Sequence, residues 1–114
     1  MSVEERKAIV RWALQVLWNS GTLEVVDEIV SDDVVVHDGP VHTLLGPQAL
    51  KDAVAAARAA RPGLELRVDE QVAQGELVAT RCTATDGERA FAGLGIARFA
   101  GGRVVEVWTS WGAG

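Results

Sequence analysis

The sequence predicts an α+β fold: three N-terminal helices packed in a cone on a strongly curved, mostly antiparallel sheet. Three observations carry this prediction. Apolar spacing is helical as far as Arg61 and switches to a period of two from Leu64 onward. Helices and long strands are therefore segregated along the chain, unlike the alternation of a parallel α/β sheet. Finally, 114 residues suit a single domain, 1–114, with a core that needs neither disulfide nor metal.

The elements follow in order. Ser2 with Glu5 forms a capping box, so the first helix starts at once. Val10, Leu14, Leu17 and Trp18 give it one apolar face, Trp12 lies off that stripe, and Gly21 ends it. Thr22 caps a short helix from Leu23 to about Val30, with Val26, Ile29 and Val30 inward. Val34 to Asp38 reads as a strand, Gly39-Pro40 as a turn and Val41 to Leu45 as a short return strand. Gly46-Pro47 opens the third helix, which is rich in strong helix formers and stops at Arg61-Pro62-Gly63. Turns at Gly75-Glu76, Asp86-Gly87 and Gly101-Gly102 divide the rest into strands of about 64–74, 77–86, 89–100 and 103–111. Being sequential, they are expected to form an antiparallel meander. A strongly curved sheet with helices on one side leaves a cone whose mouth is an apolar pocket.

Composition narrows the partners. The net charge of −5 has no compensating basic block, so nucleic acid and anionic membrane are excluded as expected partners. No apolar run reaches the roughly 18 residues of a membrane span. The acidic, polar start of the chain is unlike a signal peptide, and a cytoplasmic location is expected. Cys82 is the only cysteine and sits in a strand-like run, so a buried, inert thiol is expected.

The order of elements and the segments WNSGTLEVVDEIVSDDVVVHD, GPQALKDAVAAARAARPGLELRV and GGRVVEVW resemble the nuclear transport factor 2-like superfamily over nearly the whole chain. Within it, the SnoaL-like polyketide cyclases and the ketosteroid isomerases are most similar. The resemblance implies a cystatin-like α+β barrel, a homodimer formed through the open sheet face, and an apolar small-molecule ligand. It calls for no cofactor. In the isomerases a strand ending Val-x-Asp-Pro delivers the proton-abstracting carboxylate; Val36-His37-Asp38 matches it, with the proline displaced to Pro40. Their oxyanion-binding tyrosine would fall at Leu14 and their protonated aspartic acid near Gly95, so both donors are absent. The acid that the cyclases carry after Glu-x-Trp would fall at Gly112. Asp38 is the acid that remains.

Period two puts Asp38 on the same face as Val34 and Val36, where a carboxylate in an apolar hollow is suited to general acid/base work. The competing reading makes Asp38 a turn residue accepting N–H bonds from Gly39 to Val41. His37 points the other way, toward the outer face or a dimer contact. His42 is expected closer to the pocket mouth, and two readings stand for it: a hydrogen bond to Asp38 across the hairpin, or a surface loop histidine. Trp18, Phe91, Trp108 and Trp111, with Leu14 and Val36, are expected to line the pocket with flat apolar surface. The resemblance extends to polyether epoxide hydrolases of the same superfamily and implies a second acid on a later strand, for which Glu65, Asp69 and Glu70 are candidates by region, but alternation points Glu65 and Asp69 to solvent. A metal is not expected, because His37 and Asp38 face apart and no second cluster supplies ligands. The function expected is apolar ligand binding, with Asp38 and His42 as catalytic residues of an isomerase, cyclase or epoxide-opening hydrolase. The alternative is a non-catalytic binding or dimerisation module on the same scaffold.

Overall fold

Ser2 starts the chain's first helix, α1 (Val3–Gln15), by reciprocal capping. Its hydroxyl accepts from the Glu5 N–H at 3.0 Å while the Glu5 carboxylate accepts from the Ser2 N–H at 2.9 Å. This computed structural model describes residues 1–113. After α1 the helix widens into a π-helical turn, Val16–Ser20, which closes on Gly21 in the left-handed conformation at φ 68°. Glycine is required there twice over. The backbone angle is one that side chains rarely adopt, and the Arg58 guanidinium fills the space a Cβ would occupy. Arg58 also donates from Nε to the Trp18 carbonyl at 3.0 Å, tying the turn to the third helix.

The short helix α2 (Val25–Ile29) leads directly into β1 (Val30–Asp38), followed by β2 (His42–Leu45) and α3 (Gly46–Ala60). Strand β1 thus begins four residues earlier than the sequence pattern suggests and takes the end of the predicted helix. The Arg103 guanidinium accounts for the early stop, donating to the carbonyls of Asp27 and Val30 at 3.0 and 3.1 Å. The remaining strands are β3 (Glu65–Gln74), β4 (Leu77–Thr85), β5 (Ala90–Ala100) and β6 (Arg103–Ala113). All four lie within a residue or two of their predicted limits.

The six strands form one sheet in the order β2-β1-β6-β5-β4-β3. The meander β3 to β6 is antiparallel, as expected, and β1 joins it by a parallel pairing with β6. The sheet ends at β2 and β3 and does not close, so the barrel implied by the resemblance is an open one. Register shifts at Val68/Glu70 and Arg98/Phe99 mark bulges, the device by which strands bend.

Helix α1 packs on β3 and α3 packs on β1, at opposite flanks of the same face. The core divides accordingly. A larger cluster joins Val10, Val34, Val54, Val78, Phe99 and Val104 with their neighbours; a smaller one holds Leu66, Val68 and Cys82. Leu14 and Trp18 touch both, and the space between the flanks is left open.

Candidate active site

That space is a cavity of about 470 Å³, within the range of small-molecule sites. Leu14 and Trp18 from the first helical segment, Val36 from β1, Phe91 from β5 and Trp111 from β6 all contribute to its wall. The Trp18 and Trp111 rings meet edge to face, with centroids 6.5 Å apart at 65°. Gly93 makes room for this pair: a Cβ there would stand 2.5 Å from the Trp111 ring. Polar or ionisable side chains on the wall are few, namely Asp38, Arg61, Thr80, Cys82 and Thr109.

Asp38 is the last residue of β1 and lies on the cavity rim; it lines the cavity but is exposed to solvent, which corrects the carboxylate expected within an apolar hollow, because β1 ends here and the rim opens to water. Its Oδ1 accepts from the Thr109 hydroxyl at 3.0 Å. Thr109 is its register partner on β6, and the Gly39 N–H donates to the Thr109 carbonyl at 2.9 Å. The Gly39 turn amide is therefore spent on β6 and not on Asp38, and one carboxylate oxygen remains free of protein donors among the described residues.

His42 stands opposite Asp38 in the β1–β2 register but is exposed, lies off the cavity wall and forms no hydrogen bond with it. The expected pairing is replaced by Thr109, because β6 flanks β1 on the inner side whereas β2 is a four-residue sheet edge open to water. Trp108 is a second correction. It lies on the outer face, 38% exposed, stacked on His37 with centroids 5.4 Å apart at 17°. Trp108 and Trp111 are an odd number of residues apart, so one strand cannot aim both inward. Val107 and Thr109 take the wall positions instead.

The electrostatics separate the two faces. On the outer face, His37 Nε2 meets Glu106 at 2.7 Å and Arg98 donates to the same carboxylate at 2.9 Å. The His37 hydrogen bond first, and then Arg98, hold Glu106 below its ordinary pKa. Asp69 is held low by hydrogen bonds from Thr83 and then Arg67. None of Glu65, Asp69 and Glu70 is on the cavity wall. At the rim, Arg61 reaches over the Phe91 ring, 4.4 Å from its centroid, and donates to Asp86 at 3.3 Å. Asp86 is held low chiefly by the backbone N–H groups of Arg89 and Glu88. Burial, and secondarily the Asp69 charge, pushes the Cys82 thiol up to about 11, so it is not a thiolate nucleophile at neutral pH.

Positions 14 and 95 both belong to the wall, and neither leucine nor glycine offers a side-chain donor there. Among the described residues no three His, Cys, Asp or Glu side chains gather as a metal site, and no helix is long and apolar enough to cross a membrane. Thr80, Arg61 and Thr109 are wall residues that the sequence reading passes over. Two of them had a signal: Thr109 shares the parity of Trp111, and Thr80 that of Val78 and Cys82.

A family model, that of the SnoaL-like domain, matches residues 9–107. Among solved structures, wild-type IdmH from Streptomyces antibioticus, a proposed polyketide cyclase, is 28% identical with a TM-score of 0.72, over 87% of this chain and 86% of that one. AclR from Streptomyces galilaeus, a proposed hydroxylase, is 23% identical with a TM-score of 0.82, over 97% and 91%. A proposed ketosteroid isomerase from Kribbella flavida is 20% identical with a TM-score of 0.81, over 96% and 79%. The last two likenesses concern the fold alone. No curated protein matches the chain.

Proposed function

The chain belongs to the SnoaL-like domain family, and from that premise we propose that it binds an apolar small molecule and acts on it with Asp38 as general acid/base. The reaction is a cofactor-independent isomerisation, cyclisation or ring opening. One observation carries the reading: among the described residues, the wall of a largely apolar cavity holds a single carboxylate, at its rim, anchored by Thr109 through one oxygen and free at the other. An anchored base with an unshared oxygen is suited to receive a proton from a ligand seated against it, a contribution of about 10²–10⁴-fold. A bound ligand also covers the carboxylate and excludes water from the transfer. The likeness to IdmH, a proposed polyketide cyclase, supports the cyclisation arm.

A non-catalytic carrier is the second reading, favoured by the missing donors at Leu14 and Gly95. Proton exchange separates the two without knowledge of the substrate. In D2O, the protein is expected to speed deuterium incorporation alpha to the carbonyl of 2-tetralone, followed by NMR. Asp38→Asn is expected to lower that rate by about 10²-fold or more. Binding of 2-tetralone with no acceleration would leave the carrier.

The same proposal includes a homodimer through the outer sheet face. It is supported by an apolar row in register across the strands, Val72, Ala79, Ile96 and Trp108, in which Ala79 is half-buried and the other three are exposed. It also places the protein in the cytoplasm, a reducing compartment consistent with one free, buried cysteine.

A further inference from the structure

The inner face of the sheet carries one polar row, running straight across the strands. Gln71 on β3 pairs with Thr80 on β4, Thr80 with Gly95 on β5, Gly95 with Thr109 on β6, and Thr109 with Asp38 on β1. Residues directly opposed on neighbouring strands point to the same face. Thr80, Gly95, Thr109 and Asp38 all contribute to the cavity wall, so the row crosses its floor.

The row is bonded at both ends and bare in the middle. Gln71 Nε2 donates to the Thr80 hydroxyl oxygen at 3.1 Å, and Thr109 donates to Asp38 at 3.0 Å. Gly95 places no side chain between them; a Cβ there would meet only the Trp108 carbonyl at 3.6 Å and a Thr109 methyl at 4.0 Å. Thr80 is 3% exposed, and its own O–H has no acceptor among the described side-chain bonds while its oxygen accepts from Gln71. A nearly buried hydroxyl on an apolar wall, oriented by a neighbour and with a proton to give, is the usual form of a polar group that fixes a ligand's orientation.

We propose that Thr80 is the second anchor of the ligand site. The occupant is a flat, elongated, largely apolar molecule lying across Gly95, with one oxygen function at Asp38 and Thr109 and another receiving the Thr80 O–H. Thr80 and Thr109 stand two strand spacings apart, about 10 Å, which sets the separation of the two oxygens. Strand β5 is glycine at this register because a ligand ring takes the place of a side chain. The proposal rests on the cavity being a ligand site and not on Asp38 being a catalyst.

Calorimetric titration with biphenyl, 4-hydroxybiphenyl and 4,4′-dihydroxybiphenyl tests it, the last having its hydroxyls held about as far apart as the two anchors. The dihydroxy compound is expected to bind about five- to ten-fold more tightly than the monohydroxy one, the worth of one neutral hydrogen bond. Thr80→Val should erase that preference and leave 4-hydroxybiphenyl, anchored at Asp38, unchanged. Thr80→Ser should keep the preference. Gly95→Ala, whose methyl lifts a ring off the floor, should lose it, and this variant decides the matter if Thr80→Val does not fold. No preference in the wild type, or an equal weakening of all three probes by Thr80→Val, overturns the second anchor while biphenyl binding keeps the cavity reading. Failure of biphenyl itself to bind overturns both.

Discussion

Gly93 and Gly95 face the same way on β5 and have opposite reasons to be glycine. The first lies beneath the Trp111 ring, and the second beneath open cavity. Gly93→Ala forces the indole to move and is expected to cost about 1–3 kcal/mol in urea unfolding, as overpacking does. Gly95→Ala meets ordinary contacts and removes backbone entropy from the unfolded chain, so its effect is expected between neutral and about 1 kcal/mol stabilising. Equal effects would mean that Trp111 does not rest where it is described. At this scale the sequence was only partly readable. Period two fixes which face Asp38, Thr109 and Trp111 share, and the same rule excludes Trp108 from that face. What parity does not reveal is the partner. The choice between His42 and Thr109 for the Asp38 carboxylate depends on which strand lies inward of β1, and that is a matter of sheet order.

Asn19 shows how one element positions another. Its amide brackets Leu66 at the outer edge of β3, accepting from the Leu66 N–H at 2.6 Å and donating to the Leu66 carbonyl at 3.0 Å. The π-helical turn is thereby sewn to the sheet edge, which places Trp18 over the cavity and covers part of an otherwise open strand. Asn19→Ala leaves both backbone groups without their partner and is expected to cost about 1–3 kcal/mol. Hydrogen exchange offers the direct check, because the Leu66 amide should lose protection more than its neighbours on β3. Uniform loss along the strand would indicate a general destabilisation instead. The strands bounded by glycine turns were legible because each turn has its own local chemistry. The start of β1 was not: a register shift between Val30 and Val35 breaks the alternation there, and the signal that ends α2 comes from Arg103, far along the chain.

Across the whole molecule, the two faces of the sheet divide the work. The inner one holds the cavity, and the outer one shows a row of apolar residues beside the His37, Glu106 and Arg98 cluster. Sedimentation velocity is expected to give twice the 12.1 kDa chain mass for the wild type and a monomer for Trp108→Glu, since an unpaired charge buried in an apolar contact opposes association. A monomeric wild type at about 100 μM would remove the dimer, that being a weak-affinity limit of only about 5–6 kcal/mol. Acid acts on Glu106 of that cluster and on two carboxylates outside it. Glu106, Asp69 and Asp86 have pKa values below the ordinary 4.5, 3.8 and 3.8. The native state therefore binds fewer of these protons than the unfolded chain. Their stabilisation is present above those ordinary values and disappears as pH falls through the lowered ones. Urea midpoints should accordingly drop between pH 6 and pH 3, less steeply in Glu106→Gln. The α+β class was legible because segregation of helical and strand periods is a property of the whole chain. The parallel β1–β6 pairing was not, because nothing local records a contact between residues seventy positions apart.

The pair formed by Trp18 and Trp111 has a spectroscopic consequence. The chain has four tryptophans and no tyrosine, so its near-ultraviolet signal is dominated by indole. Two indoles at 6.5 Å and 65° are close and skewed enough for their intense far-ultraviolet transitions to couple, giving paired circular-dichroism bands of opposite sign in that region. A molecule that wedges them apart would flatten those bands, and the protein would report its own occupancy without a label.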